Sequence, residues 1–362
     1  MPTPDEIAKT RLHSLLRSHA GPTLMAALED PATCEVMLNA DGKLWQEKLG
    51  ERMHVVGRIE RSDAQAICDI VASSLGTTIT AENPQLDGEW PLDGSRFSGA
   101  IPPIVTAPIF AIRKRISRLV TLDEYVEQGV MTTIQRDILR QSIADKKNIL
   151  VVGGTGSGKT TLTNALIAEM VDGDDATRFM IAEDTLEIQC AGKNLVSMRT
   201  TDNVSMTKLI KQMLRLRPDR IFIGEVRDGA ALDVVDAWNT GHEGGIATLH
   251  ANSAFKGLSR LRGLISRNDN APLCIEEVIA ESVHRIVYIE RTPSMERKVQ
   301  GILAVEDYSS ETKRYTVRYL DNEVITQHGF VWFEQRAFLP SDKVAIVEAW
   351  MKEAEEQTAL LQ

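Results

Sequence analysis

The sequence of 362 residues has few cysteines, only 5% aromatic residues and no long hydrophobic run. Its four cysteines (Cys34, Cys68, Cys190 and Cys274) form no CxxC pair, which argues against a zinc ribbon, a redox motif or a disulfide scaffold. The sequence has no run of about 18 apolar residues, so no membrane-spanning helix is predicted. Charged residues interrupt the N-terminal stretch, so no signal peptide is expected. The expected location is the cytoplasm, and peripheral contact with a membrane is left open.

The sequence also lacks a basic excess, which argues against a protein that coats DNA by general charge. Lys and Arg number 41 against 51 Asp and Glu, giving a formal net charge of −10. The acidic excess lies in residues 1–130 and 321–362, whereas residues 131–320 are balanced. The length favours two domains.

Changes of pattern divide the chain into four segments. Residues 1–118 combine a helical stretch, a second helix with Ser62 as its N-cap, and short apolar runs between turns, which predicts a smaller α+β domain. Residues 119–130 are predicted to be a linker region, in which Thr121 begins a capping box. Residues 131–320 form the main domain, and residues 321–362 form an acidic tail.

The main domain has the pattern of an α/β protein with a parallel sheet. Apolar runs at 148–152, 179–182, 221–223 and 246–249 predict buried strands, and helical stretches separate them. Ligands of such folds bind at the carboxyl ends of the strands. The residues that follow these runs are therefore the candidate site.

Residues 153–160, which we call the phosphate loop, match the pattern G-x-x-x-x-G-K-[ST] without a mismatch. Glycines let backbone N–H groups turn toward a phosphate, and the helix that follows adds the positive end of its dipole. Lys159 is expected to bind the β- and γ-phosphates of ATP, and the Thr160 hydroxyl to ligate Mg²⁺. The candidate nucleotide-binding residues here are Gly153, Gly154, Thr155, Gly156, Ser157, Gly158, Lys159, Thr160 and Thr161.

Two acids and a histidine follow the next strands. Glu183 ends the run at 179–182, Glu225 follows the run at 221–223, and His250 follows the run at 246–249. A carboxylate at this edge can polarise the water that attacks a phosphate. A neutral imidazole there can hydrogen-bond the phosphate or an acid. Gly224 stands where a Walker B strand usually has Asp, and the pattern leaves open which glutamate is the base.

Four segments, 153–161, 181–185, 217–227 and 241–252, resemble the secretion and traffic ATPases of type II and type IV secretion and type IV pili. Residues 96–103 and 110–114 are most similar to the conjugative type IV branch, in particular to TrbB-type conjugal transfer ATPases. The resemblance implies a RecA-like C-terminal P-loop domain, a smaller N-terminal α+β domain, and a hexameric ring with ATP and Mg²⁺ bound between the domains.

The same resemblance implies roles for individual residues. Glu183 falls in the acidic box of the family, Glu225 in its Walker B segment and His250 in its histidine box. Arg96 and Arg113 match N-terminal arginines that approach the nucleotide phosphates. The alternative for these two is a solvated basic face beside Lys114, Arg115 and Arg118. Arg227 either bridges subunits or pairs with Asp228.

The leading hypothesis is a hexameric ATPase that powers conjugative pilus assembly or substrate transfer together with inner-membrane type IV secretion components. Alternatives are a type IV pilus or type II secretion motor, a nucleic-acid translocase, and a nucleotide-gated scaffold without turnover. The basic stretch of Lys208, Lys211, Arg215, Arg217 and Arg220 could track a phosphate backbone, but it has no interleaved aromatics for stacking. No direct nucleic-acid contact is therefore expected.

Overall fold

The computed structural model describes residues 3–48, 50–114, 119–171, 176–201, 203–294 and 296–321. Apart from Asp321, the predicted acidic tail therefore lies outside the described residues. In the described part of the chain, no helix has both the length and the hydropathy of a membrane span.

The first domain is a six-stranded antiparallel sheet covered by two helices. The sheet has the order β3-β2-β1-β6-β5-β4. Its elements are α1 (Pro4–Glu29), β1 (Thr33–Leu38), β2 (Lys43–Lys48), β3 (His54–Arg58), α2 (Arg61–Ser74), β4 (Gln85–Glu89), β5 (Arg96–Ala100) and β6 (Ile109–Arg113).

Strand alternation gives the two faces of this sheet different roles. Val36, Phe97 and Ile112 are fully buried and pack with residues of α1 and α2 such as Leu24 and Ile67. Because successive side chains of a strand point to opposite faces, the residues between these positions lie on the uncovered face. The first domain is thus a two-layer α+β unit, as the sequence predicts.

The helices of this domain begin and end close to the predicted positions, with one difference. The N-cap of α2 is Glu60, and no side-chain bond caps it. The predicted cap, Ser62, is the second residue of the helix, so this prediction was wrong. A cap is defined by its extended backbone, which Glu60 has, and the residue type alone did not locate it.

The second domain is built on an eight-stranded sheet. Its order is β14-β13-β12-β7-β11-β10-β8-β9. The elements are α3 (Leu122–Glu127), α4 (Thr133–Ala144), β7 (Ile149–Gly153), α5 (Lys159–Val171), β8 (Arg178–Glu183), β9 (Asn194–Arg199), α6 (Met206–Leu214), β10 (Arg220–Ile223), α7 (Ala231–Asn239), β11 (Ile246–His250), α8 (Ala254–Ile265), α9 (Ile275–Ser282), β12 (Arg285–Arg291), β13 (Arg297–Ser309) and β14 (Arg314–Tyr319).

The predicted parallel strands form the centre of this sheet. Strands β7, β8, β10 and β11 lie side by side in parallel, and β9 and β12 extend the parallel region on either side. Beyond β12 the chain adds the antiparallel strands β13 and β14, which the sequence analysis did not anticipate. The carboxyl ends of the six parallel strands therefore share one edge.

The segment predicted as a linker carries helix α3. Thr121 and Thr132 begin α3 and α4 with capping boxes, which confirms the first of these boxes as predicted from the sequence. Leu122 and Tyr125 of α3 are buried in the same core as Leu166 of α5 and Val151 of β7. Helix α3 is therefore packed as part of the second domain.

Candidate active site

The phosphate loop turns sharply between β7 and α5, and its glycines are required by space and by backbone geometry. Gly156 and Gly158 have φ of 69° and 96°, in the left-handed region that favours glycine. A Cβ on Gly153 would overlap the carbonyl oxygen of Ile289. Thr160 and Thr161 lie in the first turn of α5. Gly154, Thr155 and Ser157 complete the phosphate loop that precedes this helix.

Lys159 lies at the start of α5 with only 8% of its surface exposed. Its amine donates to the carbonyl oxygens of Gly153 and Gly154, at 3.1 and 2.9 Å, and lies 3.4 Å from His250 Nδ1. The pKa of this amine is lowered to about 8, chiefly by burial and also by the charges of Arg113 and Arg227, against the opposing effect of Glu225 and Glu187. An anion at this loop would relieve that cost.

Glu225 and His250 meet at the same sheet edge, because their strands β10 and β11 are parallel neighbours. Glu225 Oε1 is 3.2 Å from His250 Nε2, and Glu225 Oε2 accepts a bond of 2.8 Å from Arg227. Burial raises the pKa of Glu225, but the hydrogen bond and charge of Arg227, with the charges of His250 and Lys159, outweigh it and lower the pKa. Glu225 is therefore an ionised carboxylate facing the phosphate loop.

Arg227 is part of this network within one chain. Besides Glu225, it pairs with Asp184 Oδ2 at 3.3 Å, and Thr200 donates a bond of 2.9 Å to the other oxygen of Asp184. The partners of Arg227 are thus Glu225 and Asp184, and Asp228 instead accepts from the backbone N–H of Ala230. The pairing with Asp228 considered above is not formed.

Glu183 is buried, with 2% of its surface exposed, and it shapes the chain that follows it. Its Oε1 accepts from the backbone N–H groups of Glu187 and Ile188, at 3.0 and 2.9 Å. A Cβ on Gly224 would lie 2.8 Å from Glu183 Cγ, so a side chain at position 224 would collide with Glu183. This explains why glycine stands where a Walker B strand usually has Asp.

Glu187 is a candidate site residue that the sequence motifs did not single out. The turn held by Glu183 brings the Glu187 carboxylate within 3.2 Å of the Thr160 hydroxyl, which donates to it. Asn164 of α5 fixes the same turn by donating to the Glu187 carbonyl oxygen and accepting from the N–H of Gln189. The sequence signal that could have identified Glu187 is its position four residues after the strand-end acid Glu183.

The oxygen donors around Thr160 fit Mg²⁺, which prefers hydroxyl, carboxylate and phosphate oxygens over nitrogen ligands. In the described part of the chain, no group of three or more His, Cys, Asp or Glu forms a metal cluster. Thr160 and the phosphates of a nucleotide would hold such an ion, and the Glu187 carboxylate, 3.2 Å from the Thr160 hydroxyl, would lie near its waters.

Arg113 and Arg96 lie in a row of charges that crosses the uncovered face of the first sheet. The strand register places Glu47, Glu35, Arg113, Arg96 and Glu89 side by side on β2, β1, β6, β5 and β4. The charge of Arg113 lowers the pKa of both Lys159 and His250, so Arg113 lies near the phosphate loop. The structure thus brings Arg113 toward the loop, with Arg96 as its register neighbour.

The half-buried Glu35 sits between acids and bases of this row. Burial raises its pKa, Glu47 adds to that increase, and Arg113 and Arg96 oppose it. Of the basic face considered as an alternative, Lys114 donates to the Asp30 carbonyl oxygen, and Arg115 and Arg118 lie outside the described residues.

The fold and the site define a two-domain α/β protein with a glycine-rich loop, a buried lysine and strand-end acids. A family model described as "Type II/IV secretion system protein" matches residues 56–319. The chain belongs to this family.

Relatives and solved structures confirm the expected branch and fold. A probable conjugal transfer protein TrbB of Sinorhizobium fredii is 47% identical over 300 residues, which cover 83% of this chain and 91% of that protein. A conjugal transfer protein TrbB of Rhizobium radiobacter is 44% identical over 317 residues, covering 87% and 97%. The X-ray structure of the Yersinia pseudotuberculosis ATPase DotB has the same fold, with a TM-score of 0.55, 16% identity, and coverage of 86% of this chain and 81% of that one.

If Lys159 binds the phosphates, its buried amine should make nucleotide affinity depend on pH. The free protein loses this proton as the pH rises through about 8, so affinity for a non-hydrolysable ATP analogue should be flat from pH 7 to 7.5. Above pH 8 it should fall by up to about tenfold per pH unit. The pKa of His250 is lowered, by burial first and by Lys159 second, so His250 is neutral throughout this range.

Fluorescence titration at fixed ionic strength measures this dependence. Lys159→Met is the control, because it binds weakly and has no amine to titrate. An affinity of the parent protein that stays constant up to pH 9.5 would show that Lys159 does not take up this proton when it binds phosphate.

Proposed function

We propose that this protein is an ATPase that hydrolyses ATP at the phosphate loop to power a type IV secretion system of the conjugative kind. The observation that carries the proposal is the buried Lys159 amine beside the Glu225–His250–Arg227 network, at the edge where parallel strands end. A buried cation next to ionised acids is stabilised by a polyphosphate, and a positioned carboxylate can activate water.

In this mechanism the backbone of residues 153–158 and the Lys159 amine bind the β- and γ-phosphates. Mg²⁺, when bound through Thr160, would neutralise phosphate charge during the transfer. Glu225 orients the attacking water and accepts its proton, and Arg227 keeps that carboxylate in place through its bond of 2.8 Å. His250 bridges Glu225 and Lys159, so it senses the occupant of the loop.

Glu183 acts in this proposal through the turn it holds. By binding the N–H groups of Glu187 and Ile188, it keeps Glu187 beside Thr160. Arg113, with Arg96 beside it, supplies positive charge from the first domain when the cleft between the domains closes on the phosphates. Hydrolysis would remove the partner of these arginines and release the first domain, which is the stroke of a motor.

The conjugative assignment follows from the TrbB relatives, which match most of their own length. We infer the same setting for this chain: conjugative pilus assembly or substrate transfer, with inner-membrane type IV secretion components as partners. The proposed location is the cytoplasm, including its face of the inner membrane.

The nucleic-acid translocase is disfavoured by the partners of the basic stretch. Arg220 is half-buried and donates to the carbonyl oxygens of Gly244 and Ile143. Lys208 donates to the Asn203 carbonyl oxygen, and Lys211 lies 3.5 Å from Asp233. Three of the five cations are thus bound within the domain, which supports a motor without direct nucleic-acid contact.

Phosphate-release assays on three variants test the chemistry. Lys159→Ala should lose turnover by at least about 100-fold, because the phosphates lose their buried cation. Glu225→Gln should lose about 10²- to 10³-fold in kcat while nucleotide affinity remains, because the carboxylate acts on water. Glu183→Gln should lose much less, since the amide oxygen can still accept the two N–H bonds of the turn.

Glu243→Gln is the matched control, because Glu243 is exposed at the opposite, amino end of β11. It should turn over like the parent protein. Full turnover of Lys159→Ala would refute the proposed site. A parent protein that binds nucleotide without turnover would instead support the scaffold, and a larger loss for Glu183→Gln than for Glu225→Gln would make Glu183 the base.

The motor proposal also requires a homo-oligomer, which the family resemblance implies to be a hexamer. Multi-angle light scattering should give about six times the chain mass with a non-hydrolysable ATP analogue and Mg²⁺, since nucleotide orders the two domains within each subunit. A protein that stays monomeric over a wide concentration range with nucleotide would contradict the ring.

A further inference from the structure

The β12–β13 hairpin lies directly against the phosphate loop. The carbonyl oxygen of Ile289 occupies the space in which a side chain of Gly153 would lie. Arg297 packs against Gly158, with its Cδ 2.9 Å from the position that a Cβ there would take. The two strands are antiparallel, with a register shift just before Ile289. Such an irregularity interrupts the regular strand pairing, and this one lies where the hairpin meets the loop.

The same hairpin is bound to the first domain through Arg291. Arg291 Nη1 donates to Glu47 Oε1 at 2.6 Å, and Nη2 is 3.5 Å from the Glu51 carbonyl oxygen. The side chains of Arg291 and Glu47 are only 24% and 18% exposed, so the pair is partly shielded from water. Shielded pairs of this kind hold their geometry better than exposed ones.

Glu47 belongs to the charge row that carries Arg113 across the first sheet. It is the register partner of Glu35, which is the partner of Arg113. Arg291 therefore binds one end of the row to the hairpin that supports the phosphate loop, and Arg113 faces the loop from the middle of the row. The second strand of the hairpin is also anchored, since the N–H of Val299 donates to the carbonyl oxygen of Val130 at 2.8 Å.

We propose that Arg291 and Glu47 are positioning residues that couple the first domain to the phosphate loop through the β12–β13 hairpin. The pair sets the placement of the row, and hence of Arg113, relative to Gly153 and Gly158. The pair acts through the packing of Ile289 and Arg297 on the loop. No contact with substrate is assigned to either residue. This inference rests on the proposed function for its meaning, and its test includes a measurement that needs no hydrolysis.

A second ion pair between the domains provides a matched comparison. Glu89, at the other end of the row, pairs with Arg199 of β9 at 2.8 Å. These side chains are more exposed, at 30% and 48%, and β9 is the edge strand farthest from the hairpin. Arg199→Gln thus breaks a link between the same two domains without involving the hairpin.

The first measurement is hydrogen exchange of the amides of residues 153–160 in the full-length protein without nucleotide. Arg291→Gln and Glu47→Gln should each raise exchange there by about threefold or more, because local opening becomes easier when a support is removed. Arg199→Gln should leave it unchanged. Equal exchange in Arg291→Gln and Arg199→Gln would overturn the proposal.

The second measurement is affinity for the non-hydrolysable ATP analogue with Mg²⁺. Each single variant of the pair should bind about fivefold more weakly, and the double variant no more weakly than either one, since both changes break one interaction. The charge swap Glu47→Arg with Arg291→Glu should recover most of the affinity. Additive losses, or a swap that recovers nothing, would contradict the coupling.

The two measurements distinguish a failure of this inference from a failure of the proposed function. A parent protein without turnover would count against the ATPase proposal, while the exchange comparison of Arg291→Gln with Arg199→Gln would still decide the hairpin coupling. Thermal unfolding of every variant serves as the check on folding, and an unchanged midpoint in Arg291→Gln assigns its effects to the loop.

Discussion

The candidate active site is arranged around one buried cation. The Lys159 amine is held by two carbonyl oxygens of the phosphate loop, near Arg113 and Arg227 and opposite Glu225 and Glu187. Burying a charge costs free energy unless a partner of opposite sign is present, and a polyphosphate is such a partner. The glycines let the loop turn, and the strand order gathers the acids at one edge. Together these features fix the surroundings of the amine.

Both domains contribute charge to the same position, and their geometry follows from strand register. In the second domain, parallel neighbours bring Glu225 and His250 to one edge, and Gly224 leaves room for Glu183. In the first domain, alternation along each strand separates an apolar face, packed by α1 and α2, from the face that carries Arg113. A nucleotide between the domains would therefore lie between Lys159 of the second domain and Arg113 of the first.

Sequence reasoning predicted local features well and long-range ones poorly. The loop, the central strands and the Thr121 capping box follow from short patterns, and the structure has them. Glu187 reaches Thr160 only because Glu183 binds two N–H groups of an irregular turn, which no periodicity records. The charge row depends on the register of five strands, and β9, β13 and β14 each follow another strand with no helix between them. Such pairings are set by tertiary contacts, which a single sequence does not display.

If both domains bind one anion, binding of a non-hydrolysable ATP analogue should depend on Arg113 as well as on Lys159. Calorimetric titration with Mg²⁺ should give about tenfold weaker binding for this variant. Lys9→Gln, which removes the same charge from the exposed surface of α1 on the other side of the sheet, should bind like the parent protein. Equal affinity of Arg113→Gln and the parent protein would show that the first domain does not contribute Arg113 to the bound anion.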